Sequence, residues 1–213
     1  MKRIIPVIFI LVFLLSAEIS AVPFFTEYGI GSGLVSSDIE SEFFIKNRSK
    51  NGFCLSLSAQ TEQISFFFIS VEVNYVQKGI LDAYVILNPL TYEILGMEEL
   101  KHRLDYLSIP VHIKIYKKGE MFSPYLLFGP RFDYLFNYRS DVYDLLFDEV
   151  NNFVLGFNAG IGADLLINSH LKGTFELRYN WDITVSEDTF NSRNKAFQVR
   201  IGFRFPGKFK CKN

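Results

Sequence analysis

Cysteine and histidine are scarce in this sequence: two cysteines and three histidines occur among 213 residues. Cys54 and Cys211 cannot make a structural zinc site without histidine partners, and His102, His112 and His170 are scattered. Charge of one sign is not in excess either. The 22 Lys and Arg are matched by 23 Asp and Glu, a formal net charge of −1. That balance removes the bulk basic field expected of a nucleic-acid binder, and there is no acidic tail. Past the first residues there is no uninterrupted apolar run of about 18, so no mature transmembrane helix is expected. Aromatic side chains, by contrast, are abundant, with 23 Phe and 11 Tyr, and the chain is too apolar for disorder. Membrane-like aromatics without a membrane-like helix point to a barrel. The length suits one sizeable domain.

The N-terminus reads as an export signal. Lys2 and Arg3 form a positive head, residues 4–15 an apolar core, and residues 16–21 an exit of small residues. The expectation is a signal peptide over 1–21 cleaved after Ala21, a barrel over 22–205, and a short C-terminal periplasmic tail over 206–213. No cysteine follows the apolar core, which speaks against a lipoprotein anchor.

Eight stretches alternate apolar and polar residues, the period of a strand with two different faces. The clearest is 104–116, where Leu107, Ile109, Val111, Ile113 and Ile115 alternate with Ser108, His112 and Lys114. In 122–138, Phe128, Phe132, Tyr134 and Phe136 oppose Gly129, Arg131, Asp133 and Asn137. The weakest is the first, about 26–36, with Tyr28, Ile30 and Leu34 against Glu27, Gly29, Gly31 and Gly33. The connections alternate too. Those at about 37–50, 79–100, 139–152 and 185–195 read as long, and those at 62–64, 117–120 and 168–170 as tight. This is the rim asymmetry of outer-membrane barrels. The expected fold is therefore all-β: an eight-stranded antiparallel up-and-down transmembrane barrel with short periplasmic turns and long extracellular loops.

Which face meets lipid follows from the polar face. It carries Glu27, Glu72, Asp133, Asp164, Glu176 and Asp182 with Lys114, Arg131, Lys172, Arg178, Arg200 and Arg204. Balanced signs suit an interior that pairs its charges. Glycines on the same face leave room in a narrow tube for long side chains, whereas on a solvated face they would only weaken strands. The expected lumen network is Glu72, Lys114, Arg131, Asp133, Asp164, Glu176, Arg178, Arg200 and Arg204. The apolar face is aromatic toward strand ends. Tyr75, Tyr134, Tyr179 and Trp181 (with Phe136 and Phe153) are expected to form one girdle, and Phe203 and Phe205 (with Phe67 and Phe122) the other. Eight strands give a tube filled by side chains, so no wide channel is expected. The alternative is a soluble periplasmic barrel or sandwich with its apolar face inward.

Certain segments resemble a known group. Leu104-Asp105-Tyr106-Leu107-Ser108-Ile109-Pro110-Val111, followed by Pro124-Tyr125-Leu126-Leu127-Phe128-Gly129-Pro130, looks like the central strands of PorT-like outer-membrane β-barrels, common in Bacteroidetes. Glu72-Val73-Asn74-Tyr75-Val76-Gln77-Lys78-Gly79, Gly160-Ile161-Gly162-Ala163 and Glu176-Leu177-Arg178-Tyr179 are similar to its third, sixth and seventh strands. The resemblance implies fold and a Gram-negative outer-membrane location, and little about activity.

No cofactor is implied. His102 with Asp105 and Ser108 lacks a hydrolase spacing, and Ser108 is expected to face inward. His112 is read as an interior partner of a carboxylate and His170 as a turn residue. Gly29, Gly31 and Gly33 follow no strand-to-helix pattern and read as lumen glycines, not a phosphate loop. The acidic run Asp141, Asp144, Asp148 and Glu149 lacks the calcium-loop glycine and reads as a solvated loop. Pro110 and Pro130 imply bulges or missing ladder bonds. A disulfide between Cys54 and Cys211 is not expected, because the topology puts them toward opposite rims. The expected role is a non-catalytic membrane barrel acting through its loops. Its partners are outer-membrane lipid, the barrel-assembly machinery and other envelope proteins. A narrow solute channel and an outer-leaflet hydrolase are the alternatives.

Overall fold

The computed structural model describes residues 25–40, 48–62, 64, 66–87, 94–117, 119–140, 152–184 and 193–207. Eight strands follow in chain order: β1 (Phe25–Glu40), β2 (Arg48–Thr61), β3 (Phe67–Leu87), β4 (Ile94–Tyr116), β5 (Phe122–Ser140), β6 (Phe153–Asn168), β7 (Leu171–Asp182) and β8 (Arg193–Pro206). Each pairs antiparallel with the next, and β1 closes on β8 from Glu27↔Pro206 to Glu40↔Arg193. Closure removes the open edge that a bilayer would not tolerate. The export signal over 1–21, the tail past Gly207 with Cys211, and the acidic run from Asp141 to Glu149 lie outside the described residues.

The barrel is inside-out by the standards of a water-soluble protein. On the outer wall Leu34 is 71% exposed and Ile201 63% exposed, while Arg178 between the strands is 1% exposed. An aliphatic and aromatic shell around a charged interior is stable where the surrounding solvent is apolar. The alternation that formed the strands thus also sorts them: even residues of β8, including Gln198, Arg200 and Arg204, point inward, and Phe197, Phe203 and Phe205 point outward.

Three details differ from, or sharpen, the reading of the sequence. The connection expected over 79–100 is largely strand. β3 and β4 stay paired as far as Leu87↔Ile94. Tyr84, Val85, Ile86 and Leu87 favour extended backbone but do not alternate, so the period of two fails to mark them. The other connections on that rim are also shorter than read, with β1 reaching Glu40, β2 starting at Arg48 and β8 starting at Arg193.

Around Pro110 the ladder is interrupted on both sides without a change of register. β3–β4 pairing skips from Val71↔Val111 to Asn74↔Ser108, and β4–β5 pairing skips from Pro110↔Arg131 to Ile113↔Phe128. The prolines therefore remove ladder bonds and create no bulge. Gly129 lies in this gap, where a Cβ would strike the Val111 carbonyl oxygen. Only glycine permits that approach.

The β4–β5 ladder does carry an irregularity, elsewhere. Asp105 faces Asn137 but Tyr106 faces Leu135, so Phe136 is an extra residue on β5. A bulge of this kind re-aims the side chains beyond it. Asn137, expected on the lumen face, instead donates from Nδ2 to Asp105 Oδ2 at 2.7 Å, and Asp105 shares the outward parity of Leu107. Tyr138 turns inward in exchange and packs on Leu104, Tyr106, Leu135 and Val154.

Candidate functional site

The lumen is a stack of polar layers between strands that are not neighbours. At its centre Arg178 on β7 donates to both oxygens of Glu72 on β3, at 2.8 and 2.7 Å. Arg200 on β8 reaches the same carboxylate at 2.9 Å. Arg178 also bonds Glu176, which Lys114 on β4 approaches at 3.1 Å. His112 lies 3.8 Å from Glu72 through Nδ1, beyond hydrogen-bond length, and 3.2 Å from the Asn158 amide through Nε2. Toward the tight turns, Arg204 donates to Asp164 at 2.8 Å and to the Tyr125 hydroxyl at 3.1 Å. The Tyr116 hydroxyl donates to Asp164 at 2.6 Å. Lys172 pairs with Glu27 at the rim itself.

Toward the other rim, Arg131 and Lys78 share two carboxylates. Lys78 is 2.8 Å from Asp133 and 3.7 Å from Asp182. Arg131 is 3.0 Å from Asp133 and also bonds Asp182. Two small apolar clusters accompany this layer, Leu104, Tyr106, Leu135 and Val154 on one side and Val35, Cys54, Val76 and Ala196 on the other. All nine residues expected in the lumen network are buried. The structure brings Glu72, Lys114, Asp164, Glu176, Arg178, Arg200 and Arg204 into one cluster and Arg131 with Asp133 into another. Lys78 and Tyr125 were missed as members. Parity would have found Lys78, since Glu72, Asn74, Val76 and Lys78 share one face. Tyr125 has no such charge signal; it fits because Gly162 faces it, where a Cβ would lie 2.5 Å from Tyr125 Cζ.

Among the described residues the central charges leave little free space between them. A cavity among Glu72, Lys114, Glu176, Arg200 and Arg204 measures about 20 Å³, room for about one water. A 240 Å³ vestibule lined by Gln60, Tyr116, Asp164 and Lys172 opens at the tight-turn end. Two hollows of about 590 and 570 Å³ indent the apolar outer wall.

The aromatic residues read as girdles lie on the outer face. Tyr75 sits between Phe53 at 5.3 Å and Phe136 at 6.0 Å. Tyr134 packs on Phe153 at 4.9 Å, and Trp181 on Phe157 at 5.0 Å and Tyr179 at 5.9 Å. Phe203 and Phe205 are exposed at the tight-turn end of β8.

His102 and Asp105 do not meet. The His102 ring lies 3.1 Å from the Tyr138 hydroxyl on the lumen side, whereas Asp105 faces outward. Ser108 is buried inward. His170 is exposed in the β6–β7 turn, where its amide donates to Asn168 Oδ1. Among the described residues no group of three His, Cys, Asp or Glu side chains is placed to hold a metal ion.

Residues 25–186 match the family model described as outer membrane protein beta-barrel domain. Among solved structures, neisserial surface protein A superposes with a TM-score of 0.51 at 15% identity, covering 84% of this chain and 96% of that one. The outer membrane protein OprG from Pseudomonas aeruginosa gives 0.52 at 14% identity, covering 85% and 96%. At these identities the likeness is one of fold. No curated protein sequence matches this chain.

Proposed function

Because the chain belongs to the outer membrane protein β-barrel domain family, proteins of the bacterial outer membrane, we propose that it is a non-catalytic anchor that presents a β-ribbon to a protein partner outside the membrane. The observation that carries this is the length mismatch of β3 and β4. β2 leaves β3 at Leu81↔Arg48, and β5 leaves β4 at His102↔Ser140. Beyond those points β3 and β4 pair with each other out to Leu87↔Ile94, and no other described strand pairs with them. Among the described residues neither edge of that ribbon has a neighbouring strand, and an edge of this kind is the template for adding a strand from another chain. A rigid, filled barrel beneath it is a scaffold suited to holding such an element.

The packed, charge-paired lumen argues against the narrow-channel alternative, and the separation of His102 from Asp105 argues against the hydrolase one. The same proposal takes residues 1–21 as the export signal, and places the chain with the PorT-like barrels on the strength of segments 104–111 and 124–130. The barrel-assembly machinery is the partner that inserts it.

The test places a single cysteine at Glu98 in a Cys211→Ser background and treats intact cells with a membrane-impermeant maleimide. Labelling at that position, and a discrete cross-linked adduct from a photoreactive residue placed there, are expected. An unlabelled ribbon in intact cells would reverse the orientation. Labelling without any adduct, or an adduct that survives replacement of 82–100 by a short turn in a heat-modifiable barrel, would overturn the ribbon as the docking element.

A further inference from the structure

The bulge at Phe136 has a consequence on the outer wall. Below it the odd residues of β5, Arg131, Asp133 and Leu135, are buried in the lumen. Above it the parity inverts, so Asn137 meets the outward Asp105 and Arg139 is exposed. Arg139 then stands directly opposite Arg103 across the β4–β5 ladder. Directly opposed residues have Cβ atoms about 4.5–5.5 Å apart, and like charges so placed repel. A barrel without use for two adjacent cations has no physical reason to keep them there.

Arg103 is held in place. Its Nε donates to Asp105 Oδ1 at 2.9 Å, and its Nη2 donates to the Tyr75 hydroxyl at 3.1 Å. Asp105 is itself 2% exposed and fixed by Tyr75 and Asn137. One carboxylate thus orients one guanidinium and leaves the second uncompensated, since Arg139 has no side-chain partner among the described residues. Arg103 stands opposite Gly79, four residues along β3 from Tyr75, and Arg139 lies three residues past Phe136. Aromatic side chains of this kind mark the membrane–water interface, and the next layer outward is that of the lipid headgroups. Paired guanidinium forks match the oxygens of a phosphate better than any other side chains.

We propose that Arg103 and Arg139 bind the phosphate of an outer-leaflet lipid, with Asp105, Tyr75 and Asn137 as positioning residues. The site is independent of what the β3–β4 ribbon docks. It explains why the chain spends a bulge at Phe136: without it Arg139 would point into the lumen and Tyr138 into the membrane.

The experiment counts lipids retained by the folded, heat-modifiable barrel in a non-phosphate detergent, using native mass spectrometry. Phosphatidic acid, diphosphoryl lipid A and an uncharged diglucosyl lipid are the probes. Both phosphate lipids are expected to bind at least about tenfold more tightly than the uncharged one. Arg139→Gln is expected to weaken them about tenfold, Arg103→Gln/Arg139→Gln to abolish the preference, and Arg139→Lys to restore part of it. Equal retention by the double variant and the parent would overturn the proposal. So would full displacement by millimolar inorganic phosphate, which would make this a free-anion site, or equal binding of the uncharged lipid.

Discussion

Glu72→Gln isolates the central ion cluster with little change in shape. Glu72 accepts from Arg178 through two bonds and from Arg200 through one, all three groups being buried. Arg178 keeps Glu176 as a partner, but Arg200 has no other ion pair among the described residues. A guanidinium cannot shed its proton to escape burial, so the variant strands a cation inside the barrel. Breaking one side of a buried pair costs about 3–5 kcal/mol. With a urea dependence of about 1–3 kcal/mol per molar, the unfolding midpoint should fall by about 2 M. The mature chain is refolded into lipid vesicles and titrated with urea. Trp181, the single tryptophan, reports by fluorescence, and gel mobility without boiling reports the closed barrel. Arg200→Met added to Glu72→Gln should recover part of the loss, since contacting residues are not additive. A Glu72→Gln barrel within about 0.5 kcal/mol of the parent, and additive with Arg200→Met, would mean that the lumen screens its charges as water does. The reading of a dry, paired interior would then be wrong.

Gly162→Val sets a Cβ 2.5 Å from Tyr125 Cζ. Because that ring is stacked on Tyr116 and its hydroxyl is bonded to Glu176, overpacking should cost about 1–3 kcal/mol in the same urea titration; no change would mean the ring is free to move. In a Cys211→Ser background, Cys54, buried with Val35, Val76 and Ala196, should react with a thiol reagent only after urea unfolding; fast labelling of the folded barrel would show an open lumen. In planar bilayers the parent should give no steady conductance, because the cavity among its central charges is about 20 Å³; well-resolved open levels would favour the channel reading.

The strands were legible because lipid and lumen impose opposite demands on alternate residues, and β8 obeys that demand nearly from end to end and β6 as far as Leu165, beyond which Leu166 and Ile167 are both exposed. The charge network was legible for the same reason: Glu176, Arg178, Arg200 and Arg204 keep one parity. What alternation could not show is anything that breaks its own period. The bulge at Phe136 inverts Asn137 and Arg139, and nothing in the run Leu135-Phe136-Asn137-Tyr138 announces an inserted residue. The ribbon at Tyr84–Leu87 leaves the barrel wall, so its two faces no longer meet different solvents and its residues need not alternate. Lys78 keeps the parity of Glu72 and Asn74, so alternation alone would have placed it in the network. The choice of partner within the network was also out of reach, because it depends on distances across the lumen between β3 and β7 or β6 and β8.

Those cross-lumen distances do something that alternation cannot. A slip of one residue between neighbouring strands turns every lumen side chain toward lipid, and a charge at the bilayer midplane costs about 2–4 kcal/mol. One-residue slips are therefore excluded by the pattern alone. A slip of two residues preserves the pattern, keeping charges inside and aromatics outside, and moves a strand by about 7 Å along its axis. At that displacement Arg178 no longer reaches Glu72, nor Arg204 Asp164, nor Lys78 Asp133; Arg178 keeps Glu176 and Asp133 keeps Arg131 on their own strands, but the pairs across the lumen are lost. The ion pairs join β3 to β7 and β8, β4 to β7, β5 to β7, and β6 to β8, so few strands can slide without breaking at least one. The network thereby specifies the register that the aromatic and aliphatic outer wall leaves free.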